Sequence, residues 1–172
     1  MAGNEAPRSA AAVDADMFKA AMRLLPEPVA IVTTYHEGHN HGMTATAFAS
    51  VSVEPPQVLV CLNRRATSLG LIRDSGKFAV NFLPAERADM AHHFSQVADK
   101  KDDAFDPTQW KTLESGAPIF KDAISALDCV LDQQQASGTH LILVGRVVGI
   151  WMGGSRETLL YCAGRFGQFQ KE

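Results

Sequence analysis

Four short stretches hold the residues with most chemistry to offer. The first, Asn63-Arg64-Arg65-Ala66-Thr67-Ser68, sets two guanidinium groups and two hydroxyls just ahead of a segment with helical spacing at Leu69 and Ile72. With Thr67 or Ser68 at a helix N-terminus, unpaired backbone N–H groups and partial positive charge would join the arginines in a cradle suited to phosphate. The same residues also describe an ordinary helix cap beside solvated arginines. The second stretch, residues 42–52, reads G-M-T-A-T-A-F-A-S-V-S. As one strand it carries Thr44, Thr46, Ser50 and Ser52 on one face and Ala45, Ala47, Ala49 and Val51 on the other. Side chains this small leave voids costing roughly 1 kcal/mol per missing methyl-sized group unless something fills them, so a flat ligand is expected there.

The third stretch, Ser137-Gly138-Thr139-His140, brings a histidine beside a glycine turn at the start of a very apolar strand. Such a histidine serves either as a structural hydrogen-bonder or as an accessible functional group. The fourth, residues 161–166 (Y-C-A-G-R-F), flanks a permissive glycine with an aromatic and an arginine. It suits a cover over a ring system, or a frayed terminus. His36, His39 and His41 form a metal-like cluster, but they sit around a turn with Glu37 as the nearest acid, so no metal site is expected. His92 and His93 are adjacent on a helix, point in different directions and read as a solvated face. The three cysteines, Cys61, Cys129 and Cys162, are odd in number, far apart and outside any C-x-x-C pattern, and are read as buried small hydrophobes.

The elements that must position these groups follow from pattern. Residues 1–13 are Ala-rich and aperiodic and are expected to be a disordered tail, leaving 14–172 as one domain. Asp14 or Asp16 should cap a helix burying Phe18, Ala21, Met22 and Leu25, ended by Pro26 and Pro28. A strand at 29–35 should turn at Glu37-Gly38-His39-Asn40 and pair as a hairpin with the 42–52 strand. A strand at 58–62, the basic loop and a helix at 66–74 come next. A strand at 77–83 and a helix at 85–98, started by Pro84 and burying Met90, Ala91, Phe94 and Val97, then follow. Residues 104–121 read as an irregular covering loop anchored by Phe105, Trp110 and Ile119. Strands at 124–132, at 141–150 (buried on both sides) and at 159–162 complete a mainly β fold, an antiparallel barrel with helical covers. Phe18, Phe78, Phe82 and Phe94 fall at core spacing, with Phe82 and Phe94 within reach of a bound ring.

The formal charge is −3 with dispersed basic residues, which argues against nucleic acid or an acidic membrane as partner. There is neither an apolar run near the roughly 20 residues of a membrane span nor a secretory pattern, so a cytoplasmic location is expected.

Taken together, G-M-T-A-T-A-F-A-S-V-S-V-E-P-P-Q-V-L-V-C-L-N at 42–63, the Thr-Ser helix start, F-A-V-N-F-L at 78–83 and the late Gly-x-His resemble the flavin reductase-like family. These are short-chain NAD(P)H:flavin oxidoreductases that act as reductase components of two-component flavin-dependent monooxygenases, and the resemblance spans residues 18–166. It implies an FMN-binding split barrel of antiparallel Greek-key type, a homodimer, and an oxygenase partner receiving reduced flavin. It also implies noncovalent FMN or FAD, with NADH or NADPH delivering hydride from nicotinamide C4 to flavin N5. By the same resemblance Thr44, Ala45, Thr46 and Ala47 line the isoalloxazine ring, and Cys61, Leu62 and Asn63 continue that wall. Arg64, Arg65, Ala66, Thr67 and Ser68 hold the ribityl phosphate or diphosphate, while His140, Gly164, Arg165 and Phe166 lie on the nicotinamide side. No acid, base or metal is required. Two departures stand out: Thr139 where the family commonly has Asp, and Phe166 where Tyr is frequent. The alternative on the same barrel is a flavin-binding electron carrier or a pyridoxamine phosphate oxidase-like protein without nicotinamide turnover.

Overall fold

The computed structural model describes residues 13–96 and 104–170. The expected tail lies outside these residues except for Val13, as does Val97. Asp14 caps α1 (Ala15–Met22), its carboxylate accepting from the N–H groups of Asp16 (3.4 Å) and Met17 (3.2 Å). The helix buries none of its residues, and Phe18, Met22 and the following Leu25 are exposed. This corrects the sequence reading: periodicity identifies an apolar face but not what is packed on it.

After β1 (Glu27–Pro28), β2 (Ala30–His36) and β3 (His39–Ala45) form the expected hairpin, in register from Ala30↔Ala45 to His36↔His39. Glu37 and Gly38 make its two-residue turn, both at positive φ (48° and 88°), matching the right-handed twist of the strands. Residues 42–52, however, are not one strand. β3 ends at Ala45, Thr46 and Ala47 are unpaired as strand residues, and β4 (Phe48–Val53) pairs with β5 (Pro56–Asn63) instead. A register shift between Ser50 and Ser52 breaks the expected parity again.

The chain continues through α2 (Thr67–Ser75), ended by Gly76 at φ 68°, to β6 (Lys77–Phe82). Pro84 precedes a 3-10 turn at Ala85–Arg87 and then α3 (Ala88–Ser95), so the expected single helix is split. The 104–121 segment is anchored by buried Phe105, Trp110 and Ile119 as expected, but it holds a hairpin, β7 (Trp110–Thr112) with β8 (Pro118–Phe120). The buried Asn81 amide fixes that hairpin: its Nδ2 donates to the carbonyl oxygen of Ile31 and to Thr33 Oγ1 (both 3.1 Å), and its Oδ1 accepts from the Phe120 N–H (2.8 Å). β9 (Ser125–Ser137) and β10 (His140–Met152) are long partners of 13 residues each. β10 is not buried on both sides. Within it Leu143 and Gly145 are buried, whereas Ile150 and Met152 are exposed, with nothing packed over them among the described residues. β11 (Leu160–Cys162) turns through Ala163 and Gly164, both at positive φ, into β12 (Arg165–Gly167).

Seven strands make the main antiparallel sheet in the order β3-β2-β6-β9-β10-β5-β4, and β1-β11-β12 make a second one. The edge strands β3 and β4 are consecutive in the chain. The link through Thr46 and Ala47 can span at most about 11 Å, so the end of β3 and the start of β4 lie close together at that corner. The Cys61 N–H donates to the Ala47 carbonyl there (3.0 Å). One face of the sheet packs Val32, Val60, Leu62, Phe78 and Leu143 beneath Leu69 and Ile72 of α2. The other packs Ile31, Leu83, Phe120 and Leu159 against Met90, Ala91 and Phe94 of α3. No helix among the described residues is long and apolar enough to cross a membrane.

Candidate functional site

The corner between the two sheet edges opens into a cleft of about 750 Å³. Thr44 and Thr46 form one wall, Arg65 to Ser68 the second, and α3 the third through Ala91, His92, Phe94, Ser95 and Gln96. Tyr161, Gly164, Arg165 and Phe166 of the β11–β12 hairpin cover it.

Each wall has a local cause. Asn63 folds the basic loop: its side-chain oxygen accepts from the Arg65 N–H (2.9 Å) and its carbonyl from the Ala66 N–H (3.0 Å). That turn delivers Ala66 as the N-cap of α2, with no side-chain cap, and no acid in the first turn. The N–H groups of Thr67 and Ser68, the first two helical residues, therefore have no acceptor within the helix, and neither hydroxyl is used to cap it. An uncapped, acid-free helix start beside Arg65 has the donors and the field for an anion. Across the cleft, the Thr44 hydroxyl donates to the Ala91 carbonyl (2.7 Å) and ties α3 to β3. The cover is fixed by rings. Phe166 meets His92 edge to face (centroids 4.8 Å apart, 87°) and Tyr161 at 5.4 Å, joining the C-terminal hairpin to α3. An anion end, small-residue and aromatic walls and a cavity of ligand size fit a planar ring bearing a phosphorylated tail.

A model of the flavin reductase like domain matches residues 22–170. The chain belongs to the flavin reductase-like family. Its relatives include FMN reductase (NADH) RutF of Ancylobacter novellus, 35% identical over 163 residues that cover 95% of this chain and 90% of the relative. Among solved structures it is similar to BorF, the flavin reductase component of a bacterial two-component tryptophan halogenase. Their TM-score is 0.85 at 28% identity, covering 92% of this chain and 100% of that one. It is also similar to the Streptomyces globisporus NADH:FAD oxidoreductase SgcE6 in complex with NAD and FAD fragments. That TM-score is 0.81 at 32% identity, covering 94% of this chain and 98% of the other.

Within this flavin reductase-like fold, the cleft gathers Thr44, Thr46, Arg65, Ala66, Thr67, Ser68, Gly164, Arg165 and Phe166 from the residues read in the sequence. The others stand outside its lining. Ala45 turns toward the α2 side of the sheet and Leu62 is 1% exposed there, so only backbone is available from Leu62. Ala47 and Cys61 meet through the backbone at the corner, Asn63 shapes the loop, and the Arg64 N–H is held by the Thr139 carbonyl (3.0 Å). His140 is exposed, opposite Asn63 in the β5–β10 register, with its Nδ1 2.9 Å from Thr139 Oγ1. Phe94 lines the cleft, whereas Phe82 packs on Phe48 (4.6 Å) away from it. His92 is exposed, as expected of a solvated face, and also lines the cleft, with Ser95 and Gln96. Their i, i+3, i+4 spacing beside buried Phe94 was the available signal. Of the three cysteines expected to be buried only Cys129 is, whereas Cys61 and Cys162 are partly exposed; burial pushes the Cys61 thiol up, and burial with the Asp128 charge pushes Cys129 up to about 12.

Proposed function

We propose that this chain is an NADH-dependent flavin reductase that binds FMN or FAD noncovalently in the cleft and supplies reduced flavin to an oxygenase component. The observation that carries this reading is the uncapped start of α2, where Thr67, Ser68 and Arg65 face one end of a cleft otherwise walled by small and aromatic side chains. Bound flavin supplies an acceptor for hydride from the nicotinamide. The chain's own part is orientation and electrostatics. The α2 N–H groups and hydroxyls hold the phosphate, Arg65 balances its charge, and the Thr44-to-Ala47 corner with the Cys61-to-Asn63 backbone presents polar groups to the ring edge. Phe166, braced by His92 and Tyr161, excludes water from the open side. Arg165 and Gly164 lie with it on the nicotinamide side, and His140 approaches from beyond the 63–66 loop.

The same reading takes the main sheet as an FMN-binding split barrel, the molecule as a homodimer and its location as cytoplasmic, in one domain spanning 14–172. Purified protein should oxidise NADH only when FMN or FAD is added; flavin binding with no turnover above the chemical background would overturn the reductase. Thr46→Phe should abolish flavin binding in a fluorescence titration while leaving the unliganded Tm within a few degrees. Unchanged flavin affinity in that variant would remove Thr46 from the ring wall.

A further inference from the structure

The cover of the cleft has little backbone to hold it. β12 pairs with β11 alone, over three residues, and β11 pairs with β1 over two. Ladders this short are marginal in water. The turn adds strain, because Ala163 sits at φ 51°, a region that a residue with a Cβ seldom adopts. The Ala163 N–H donates to the Arg23 carbonyl (2.7 Å), and among the described residues no backbone hydrogen bond from outside the hairpin reaches past that point into β12.

What places β12 is the Phe166 side chain, and without a hydroxyl it can be held only by packing. The ring is half-buried against the core on the α3 side of the sheet. It meets Tyr161 at 5.4 Å (60°) and His92 at 4.8 Å (87°). Tyr161 belongs to the same hairpin and moves with it. His92 belongs to a helix that is fixed independently: its neighbours Ala91 and Phe94 are buried, the Ala91 carbonyl accepts from the Thr44 hydroxyl (2.7 Å), and its own carbonyl accepts from Ser95 Oγ (2.8 Å). An exposed ring on an anchored helix thus reaches a loosely tied strand. The perpendicular geometry makes this a directional contact, unlike the general packing around it.

We propose that His92 is a positioning residue whose ring latches Phe166, and with it β12, over the cleft, so that breaking this contact sets how fast the occupant leaves. The proposal rests on the flavin reading of the cleft and concerns retention of the cofactor, not hydride transfer.

FMN dissociation from the full chain, followed by fluorescence recovery after rapid dilution, is compared with that from His92→Gln, Phe166→Leu, the double variant and His92→Phe. An aromatic pair of this kind corresponds to about two- to tenfold in an equilibrium or rate constant. His92→Gln and Phe166→Leu should each speed dissociation by at least that factor, and the double variant should be no faster than Phe166→Leu alone. His92→Phe keeps a ring and loses both nitrogens, and it should return the rate to within about twofold of wild type. An unchanged rate in His92→Gln overturns the latch. So do effects that multiply independently in the double variant, or a failure of His92→Phe to rescue, since the nitrogens rather than the ring would then be in use. A second readout needs no ligand: amide exchange across residues 165–167 of the unliganded chain should quicken in His92→Gln while the Tm stays within about 2 °C. Unchanged exchange there overturns the proposal, and so does faster exchange throughout the chain with a lower Tm, which would make His92 merely structural. If the wild-type chain binds neither FMN nor FAD while exchange at 165–167 still responds to His92→Gln, the latch stands and the flavin reading falls.

Discussion

Cys129 lies fully buried in β9 beside Asp128, whose carboxylate accepts from the N–H (2.8 Å) and the hydroxyl of Ser115. Burial first, and the Asp128 charge second, push its thiol up to about 12, against about 8.5 in an unfolded chain. The folded state therefore holds the proton longer than the unfolded state. The stability linked to this group is complete below about pH 8.5 and is lost as pH rises toward about 12, at no more than about 1.4 kcal/mol per pH unit. The destabilisation caused by Cys129→Ala, read from urea midpoints, should accordingly shrink between pH 8 and pH 10.5; a constant gap would mean that the thiol titrates normally. A thiol reagent at pH 8 should also modify the native protein at Cys61 and Cys162 well before Cys129, as peptide mapping would report.

β3 and α3 are in contact because residue 42 is glycine. A Cβ there would stand 2.7 Å from Phe94 Cε1 and 3.3 Å from Ile31 Cγ2. Gly42→Ala must displace the Phe94 ring, at about 1–3 kcal/mol for overpacking. Because His92 and Phe94 line the cleft from the same helix, flavin affinity should fall with stability; a Tm drop with unchanged affinity would uncouple α3 from the site. The elements legible in sequence were those written in local chemistry: the Glu37-Gly38 turn, the Asp14 cap, the anchors Phe105, Trp110 and Ile119, and the helix start after Arg65. The break at Thr46-Ala47 was not legible, because neither residue is a breaker and the small-residue alternation runs through it unchanged. The β7–β8 hairpin was hidden for another reason: its three-residue strands are held by Asn81, about 30 to 40 residues away in the chain. His92 escaped because its role depends on where Phe166 arrives from the far end of the sequence.

At the scale of the molecule, exposed Ile150 and Met152 at the end of β10 and Val53 at the end of β4 are apolar surface that a partner copy would cover. Sedimentation should give about twice the 18.6 kDa chain mass, and a monomer at micromolar concentration would contradict the homodimer proposed above. The sheet order carries a kinetic consequence. β2–β3, β4–β5 and β9–β10 join neighbours in the chain, whereas β2–β6, β6–β9 and β5–β10 join distant segments. Hairpins of the first kind close in microseconds, before the distant pairings can be made. The Thr46-Ala47 corner joins two such hairpins and takes its final shape only when both are docked into the sheet, so flavin has nothing to hold until the rate-limiting assembly is over. Flavin at a hundred times its Kd adds about 2.7 kcal/mol, and on this topology all of it belongs to the unfolding limb. Escape from the native state should slow by about a hundredfold, while refolding proceeds at the same rate with or without the cofactor.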